Sequence, residues 1–277
     1  MGKADIPAFL YHYTTVDSLA LILKNKNIQF RPLTMMDDLQ EENEEKRYKL
    51  ARFVFVSSWT AEKIESIPMW KMYSSWEQGI RIKLPSSPFE KYMVSSKEYE
   101  EVTGKPPRYK EQTDTWYIKP FREMYESDYT YLYITSRNLL YKIRYTNCEG
   151  SENAEDVKLA IYDKVMDFGK VGNKKSIAWR FQKEWRYKFI CLPIKAIFGK
   201  DFDTIHNEFI YHKLLNNEYR MPMDRIFLSL TDAAFSQMEI TCSPKLSESN
   251  RIFIDLLKEK YNPTLTVRES TLKDSIR

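Results

Sequence analysis

Residues 8–30 read "AFLYHYTTVDSLALILKNKNIQF", a strand, a helix and a second strand within one short stretch. Ala8 to Tyr13 alternates as a half-buried strand does. Thr14, with Asp17 three residues on, has the form of a capping box that starts a helix. Val16, Leu19, Ala20 and Leu23 then recur at helical spacing and give that helix one apolar face. "IQFRPL" (28–33) follows as a short strand closed by Pro32. His12, one of three histidines in the chain, sits in the first strand directly ahead of the helix. It is either a residue packed among tyrosines or one placed at the mouth of a site.

Working outward, "TMMDDLQEENEEKRYKLAR" (34–52) is acidic and helix-prone, which predicts a solvated helix or loop. "FVFVSSW" (53–59) is an apolar β-rich run suited to a central strand. Pro68 opens a short helix bearing Trp70 and Tyr73, and Gly79 ends it before a strand over Ile80 to Leu84. Residues 90–137 are rich in Tyr, Lys and Glu, with a "GKPPRY" break at 104–109, and read as an insertion. Beyond it, strands are expected at 138–147, 224–230 and 263–270, and 174–194 is expected to run from a polar turn into a long strand. Helices are expected at 151–168, capped by Ser151, and at 250–261. The strands are interrupted irregularly, so the fold class is mixed α+β and not a regular βαβ alternation. One domain spanning 1–277 with an insertion at about 90–137 is the expected organisation.

With 43 basic and 39 acidic side chains the chain carries a net +4, which permits a polyanionic partner without requiring one. Only 7 glycines against 19 tyrosines argue for an ordered, aromatic-rich fold. Cys148, Cys191 and Cys242 are too far apart for a zinc knuckle and odd in number, which fits a reducing compartment. No apolar run reaches membrane-spanning length and "MGKADIPAFLY" lacks a signal-peptide core, so a cytoplasmic protein without membrane contact is expected.

No metal site is predicted: His206 and His212 are six apart with no cysteine or HExxH pattern nearby. GxSxG, P-loop and GxGxxG patterns are also missing. Chemistry, if any, must come from scattered residues that the fold assembles. Three segments qualify: "YHYTT", "SSW" with "MWKMYSSWEQG", and "QKEWRYKF". In the last, strand alternation sets Trp185, Tyr187 and Phe189 against Glu184, Arg186 and Lys188. The aromatic set is core. On the other face Arg186 holds Glu184 ionised, or the two form a surface ion pair on a half-exposed sheet.

Taken in order, "LYHYTT…LALILKNKNIQF", "FVSSW", "PMWKMYSSWEQGIRIKL" and "EWRYKF" resemble the bacterial and phage family numbered 2971 among the domains of unknown function, over roughly residues 9–270. The opening is also similar to that of the ADP-ribosyltransferase superfamily, in its His-Tyr-Glu branch. That resemblance implies a split mixed and antiparallel sheet with flanking helices, and NAD as the substrate. It implies that His12 binds the adenosine ribose, that Tyr73 stacks on nicotinamide with Trp70 as the alternative, and that Glu184 binds the nicotinamide ribose 2′-hydroxyl. Tyr13, Thr14, Ser57 and Ser58 become candidate cleft residues; Thr14 has helix capping as its plain role, and the serines have strand-end capping. Arg81, Lys83 and Arg186 are candidates for the pyrophosphate, each with a solvated strand charge as the alternative.

The resemblance further implies a toxin or anti-phage effector that modifies nucleic acid or protein, with an antitoxin or chaperone as a possible partner. Two other readings stay open. One is a non-catalytic protein of the same fold that binds a nucleotide or a partner. The other is a nucleotide or RNA hydrolase with Glu184 as base and His12 as acid.

Overall fold

The computed structural model describes residues 6–38, 50–107, 113, 116–127, 130–132, 139–146, 171–192, 221 and 223–276. The expected helix at 151–168, His206, His212 and most of the acidic stretch lie outside these residues.

The opening stretch folds as its pattern dictates. Strand β1 (Phe9–Thr15) runs into helix α1 (Val16–Asn25), and β2 (Asn27–Pro32) follows. Val16, Leu19 and Leu23 are the buried face of α1. The cap is Thr15, not Thr14: its hydroxyl accepts from the Ser18 amide at 3.4 Å, with Asp17 in the first turn. Both threonines suit the role, and the strand simply continues one residue further. Lys26 closes the helix in the left-handed region at φ 49°.

Strand β3 (Val54–Thr60) follows, then helix α2 (Ile67–Tyr73), started by the Ser66 hydroxyl and Pro68. Strand β4 (Gly79–Pro85) comes next. Gly79 is required by space: a Cβ there would lie 2.5 Å from Ser74 Oγ and 2.8 Å from the Ser75 carbonyl. The insertion contributes β5 (Tyr92–Met93), α3 (Ser96–Thr103), β6 (Trp116–Tyr117), α4 (Phe121–Glu126) and β7 (Thr130–Leu132).

Within the strand expected at 138–147, the described residues form two strands, β8 (Leu140–Lys142) and β9 (Arg144–Thr146). Ahead of the late strand, the expected polar turn is β10 (Lys174–Ser176) and a 3-10 turn at Ile177–Gln182. Then come β11 (Glu184–Leu192), β12 (Ile226–Ser229), α5 (Asp232–Ser236), β13 (Glu239–Cys242), α6 (Glu248–Tyr261) and β14 (Thr266–Arg268).

The protein is mixed α+β, and ten strands form one mixed sheet. Its main path is β12-β2-β3-β1-β4-β13-β14, with β11 joined to β3, β7 and β8. Most pairs are antiparallel, and β13 with β14 is parallel. Every residue of β11 is buried, so both sheet faces are covered there. Phe55, Trp59, Tyr187 and Phe189 form the core on one face, with Phe55 and Phe189 stacked at 5.8 Å. Each such side chain contributes about 1.5–3 kcal/mol by leaving water.

The pairing of β3 positions the site. On one side β3 pairs with β11 from Val54 to Thr60. On its other side it pairs with β2 at Phe55 and Val56, and with β1 only at Thr60. Ser57, Ser58 and Trp59 therefore face a seam where neither strand completes the ladder. Buried backbone groups need partners, and here the His12 ring supplies one for Ser58.

Candidate active site

A cavity of about 390 Å³ opens at that seam, within the range of small-molecule pockets. It is lined by His12, Tyr13 and Thr14 from β1, by Ser57 and Ser58 from β3, by Tyr73 from α2, and by Lys175, Gln182 and Glu184. His12, Tyr73 and Glu184 thus meet one cavity although the first and last are far apart in the sequence. The register pairs Tyr11, not His12, with Thr60 and so aligns Tyr11 with Glu184 on one sheet face. His12 belongs to the opposite face, with Trp59 at 5.0 Å. The incomplete seam lets residues of both faces reach the same space.

His12 Nδ1 lies 2.8 Å from the Ser58 carbonyl oxygen. A carbonyl only accepts, so Nδ1 carries the proton. Burial pulls the imidazole below its ordinary pKa, and the Ser58 bond opposes this less strongly. His12 is therefore neutral near pH 7, and its Nε2 is an acceptor.

Glu184 is 3 % exposed, as is Lys188, and Arg186 is 0 % exposed. This corrects the expectation of a half-exposed sheet face. Arg186 Nε donates to Glu184 Oε1 at 2.8 Å, and Lys175 Nζ donates to Oε2 at 3.2 Å. Burial pushes the carboxyl up, but Arg186, Lys175 and the Ser58 hydroxyl together hold it below the usual carboxylate range. Glu184 is a buried, ionised carboxylate. The Glu184 amide donates to the Tyr145 hydroxyl at 2.7 Å, and Lys183 before it adopts a left-handed φ of 45°.

Arg186 also donates to the Gly172 carbonyl at 2.9 Å, and Gly172 at φ 73° makes the turn that presents it. Lys188 donates to the Val171 carbonyl and to Asn173, both at 2.7 Å. The segment from Val171 to Ser176 therefore covers the charged face. Nothing local in "EWRYKF" announces this, because the cover comes from a distant strand and turn.

Tyr73 is half-buried at the end of α2, where its hydroxyl accepts from Gln182 Nε2 and donates to Asp37. Burial and the nearby carboxylates Asp37 and Glu184 raise its pKa far above the ordinary value, so it stays a neutral phenol. Trp70, the alternative stacking residue, is 0 % exposed and lies off the cavity. Its indole Nε1 donates to Glu65 at 3.0 Å, and its ring meets Tyr13 edge-on at 4.8 Å. It belongs to the core with Tyr13 and Met69, and Tyr73 packs at the edge of the same cluster.

Two of the anion-binding candidates also change role. Arg81 is 6 % exposed and off the cavity; it donates to the Lys63 carbonyl and lies over the Tyr11 ring at 4.6 Å. Arg186 is off the cavity too, and acts on it only through Glu184. Lys83 pairs with Glu239 at 3.6 Å. Of the smaller residues, Ser57 accepts from the Trp59 indole at 3.0 Å, and Tyr13 accepts from the Ser66 amide at 3.0 Å. Thr14 lies in the strand, against the cavity. Lys175, Gln182, Asp37 and Arg31 are among the cavity residues not foreseen. The first two lie in "KKSIAWRFQK", whose approach to the sheet depends on the β9–β10 pairing.

Glu65 holds the helix that carries Tyr73. Its carboxylate accepts from Trp70 Nε1, from the Ser270 hydroxyl at 2.6 Å, and from the Thr271 amide and hydroxyl at 2.7 and 2.9 Å. Burial raises its pKa, but these donors and Arg81 outweigh that and depress it. A depressed carboxylate stabilises the fold above its unfolded value near 4.5, and the contribution is lost as pH falls through the folded value. Glu65→Gln is expected to cost about 1–3 kcal/mol at pH 7. In urea unfolding across pH, that difference should shrink below about pH 4.5; a difference constant with pH would contradict it.

Among the described residues no group of three or more His, Cys, Asp or Glu side chains gathers as a metal site. Cys191 and Cys242 are buried free thiols, and no described helix is long and apolar enough to cross a membrane. Comparison with protein-family models, with curated proteins and with solved structures found no match.

Proposed function

We propose that this protein is an NAD-dependent ADP-ribosyltransferase, a cytoplasmic effector or toxin, with a sheet of the ADP-ribosyltransferase type. The observation that carries the reading is the meeting of His12, Tyr73 and Glu184 at one seam of an incompletely paired sheet. The C1′–nitrogen bond of NAD breaks, and nicotinamide leaves neutral with the bonding pair. The ribosyl group develops oxocarbenium character. The acceptor then bonds to C1′ and releases its proton, so the products are ADP-ribosyl acceptor, nicotinamide and H⁺. A fixed, ionised Glu184 stabilises the developing positive charge and accepts from the ribose 2′-hydroxyl. Tyr73 holds the planar nicotinamide, and His12 Nε2 accepts from a hydroxyl of the adenosine ribose.

One observation favours the non-catalytic alternative. Both Glu184 oxygens already accept from cations. A carboxylate has about four lone-pair positions, so a ribose hydroxyl can still be accepted. The hydrolase reading loses support from His12. An imidazole neutral at pH 7 and bound through Nδ1–H to a carbonyl has no proton on Nε2 to give.

Calorimetric titration with NAD tests the assignment of Tyr73. Tyr73→Ala should weaken binding about tenfold, the scale of one lost base–aromatic stack, while Tyr73→Phe keeps the ring and the affinity. Equal weakening by both variants would place the role in the hydroxyl and contradict the stacking assignment.

A further inference from the structure

The cavity has a second arm, walled by α1, β2 and β12 on the far side of β3 from Glu184. Alternation along β2 buries Ile28 and Phe30 and turns Asn27, Gln29 and Arg31 to the other face. Pairing with β12 sets Phe227 directly opposite Gln29, with its ring 37 % exposed. β2 joins β3 at Arg31 and Pro32. Continuing that register would bring Gln29 level with Ser58, but the ladder stops there, so Asn27 and Gln29 border the gap and line the cavity. Among the described residues neither carboxamide has a hydrogen-bond partner. Two cations line the cavity, Lys175 and Arg31. Lys175 is held by Glu184, whereas Arg31 is exposed. Arg31 acts electrostatically on Asp224, a carboxylate that is already bonded twice to Arg225. Asp37, which shares the cavity wall, accepts from the Tyr73 hydroxyl.

We infer that this arm binds the adenine of a nucleotide, with Phe227 stacking on the base, Asn27 and Gln29 reading its edge, and Arg31 holding the attached phosphate. Carboxamide chemistry selects the base. A carboxamide offers a donor and an acceptor side by side, which matches the adenine amino group next to a ring nitrogen. Guanine presents two acceptors at the same positions and would set one of them against the carboxamide oxygen. Phe227 supplies the ring on which a base stacks. Leu21, 61 % exposed, adds apolar surface to the same arm. Three strand spacings separate β11 from β12, about 14 Å, and an extended dinucleotide spans that gap. The link to NAD rests on the transferase reading, whereas recognition of the base does not require turnover.

Calorimetric titration of the full chain with ADP, GDP and adenosine tests it. ADP should bind about tenfold more tightly than GDP. Gln29→Leu should remove that preference, and Phe227→Ala should weaken both nucleotides about tenfold. Arg31→Gln should weaken ADP and leave adenosine unchanged. Unfolding midpoints measured alongside show whether each variant is folded. Equal binding of ADP and GDP, no binding of ADP, displacement of ADP by free nicotinamide, or folded Gln29 and Phe227 variants that bind like wild type would each overturn the inference. None of those results would stop the protein from cleaving NAD, so the transferase reading stands or falls separately. Selective ADP binding without NAD cleavage would remove the transferase reading and leave the adenine site in place.

Discussion

Glu184→Gln is expected to lower nicotinamide release from NAD by about 10²–10³-fold, the scale for losing one preorganised electrostatic group in an active site. The same substitution also acts on the fold. Glu184 is 3 % exposed and faces Arg186 and Lys175, so a neutral amide leaves two buried cations without their counter-charge. Breaking a buried pair by removing one partner costs about 3–5 kcal/mol. Activity loss in the single variant therefore mixes chemistry with stability. Glu184→Gln combined with Lys175→Met removes one cation along with the carboxylate and should recover part of the lost stability. It should recover none of the activity. A double variant that regains stability and turnover together would show that Glu184 acts only by holding the fold.

Arg186→Met is expected to destabilise the protein by about 3–5 kcal/mol in chemical unfolding. Arg186 is fully buried and joins the Glu184 carboxylate to the Gly172 carbonyl. Removing it leaves both acceptors buried and short of a donor. Arg186→Lys should rescue little, because one ammonium lacks the planar fork that reaches both acceptors. A loss below about 1 kcal/mol for Met would contradict this account and put the ion pair in the weak class typical of surface bridges.

The parts of the fold legible in the sequence are those set by local pattern. The apolar spacing of Val16, Leu19 and Leu23 gave α1, and the apolar run ahead of Ser57 gave β3. His12, Tyr73 and Glu184 each stand out within a short segment, and the three line one cavity. What escaped depends on distant chain. Spacing shows that Glu184, Arg186 and Lys188 share a face, but their burial depends on residues 171–176 folding over them. Trp70 and Tyr73 are three apart on one helix, and only the position of Glu65 shows which ring turns to the core. Arg81 is a candidate for the pyrophosphate in the sequence, with a solvated strand charge as its alternative, and it is neither. The Tyr11 and Tyr13 rings that cover it come from the neighbouring strand. Lys175 and Gln182 reach the cavity through a pairing with β9, about 30 residues back in the chain by number, beyond the reach of local pattern.

Quantifying free nicotinamide after incubation with NAD, with and without single-stranded oligonucleotide, tests the central claim most directly. The wild-type protein should release nicotinamide, and the stability-compensated double variant at Glu184 and Lys175 should release none above background. A folded wild-type protein that binds NAD and releases no nicotinamide under either condition would contradict the transferase account and leave a nucleotide-binding protein in its place.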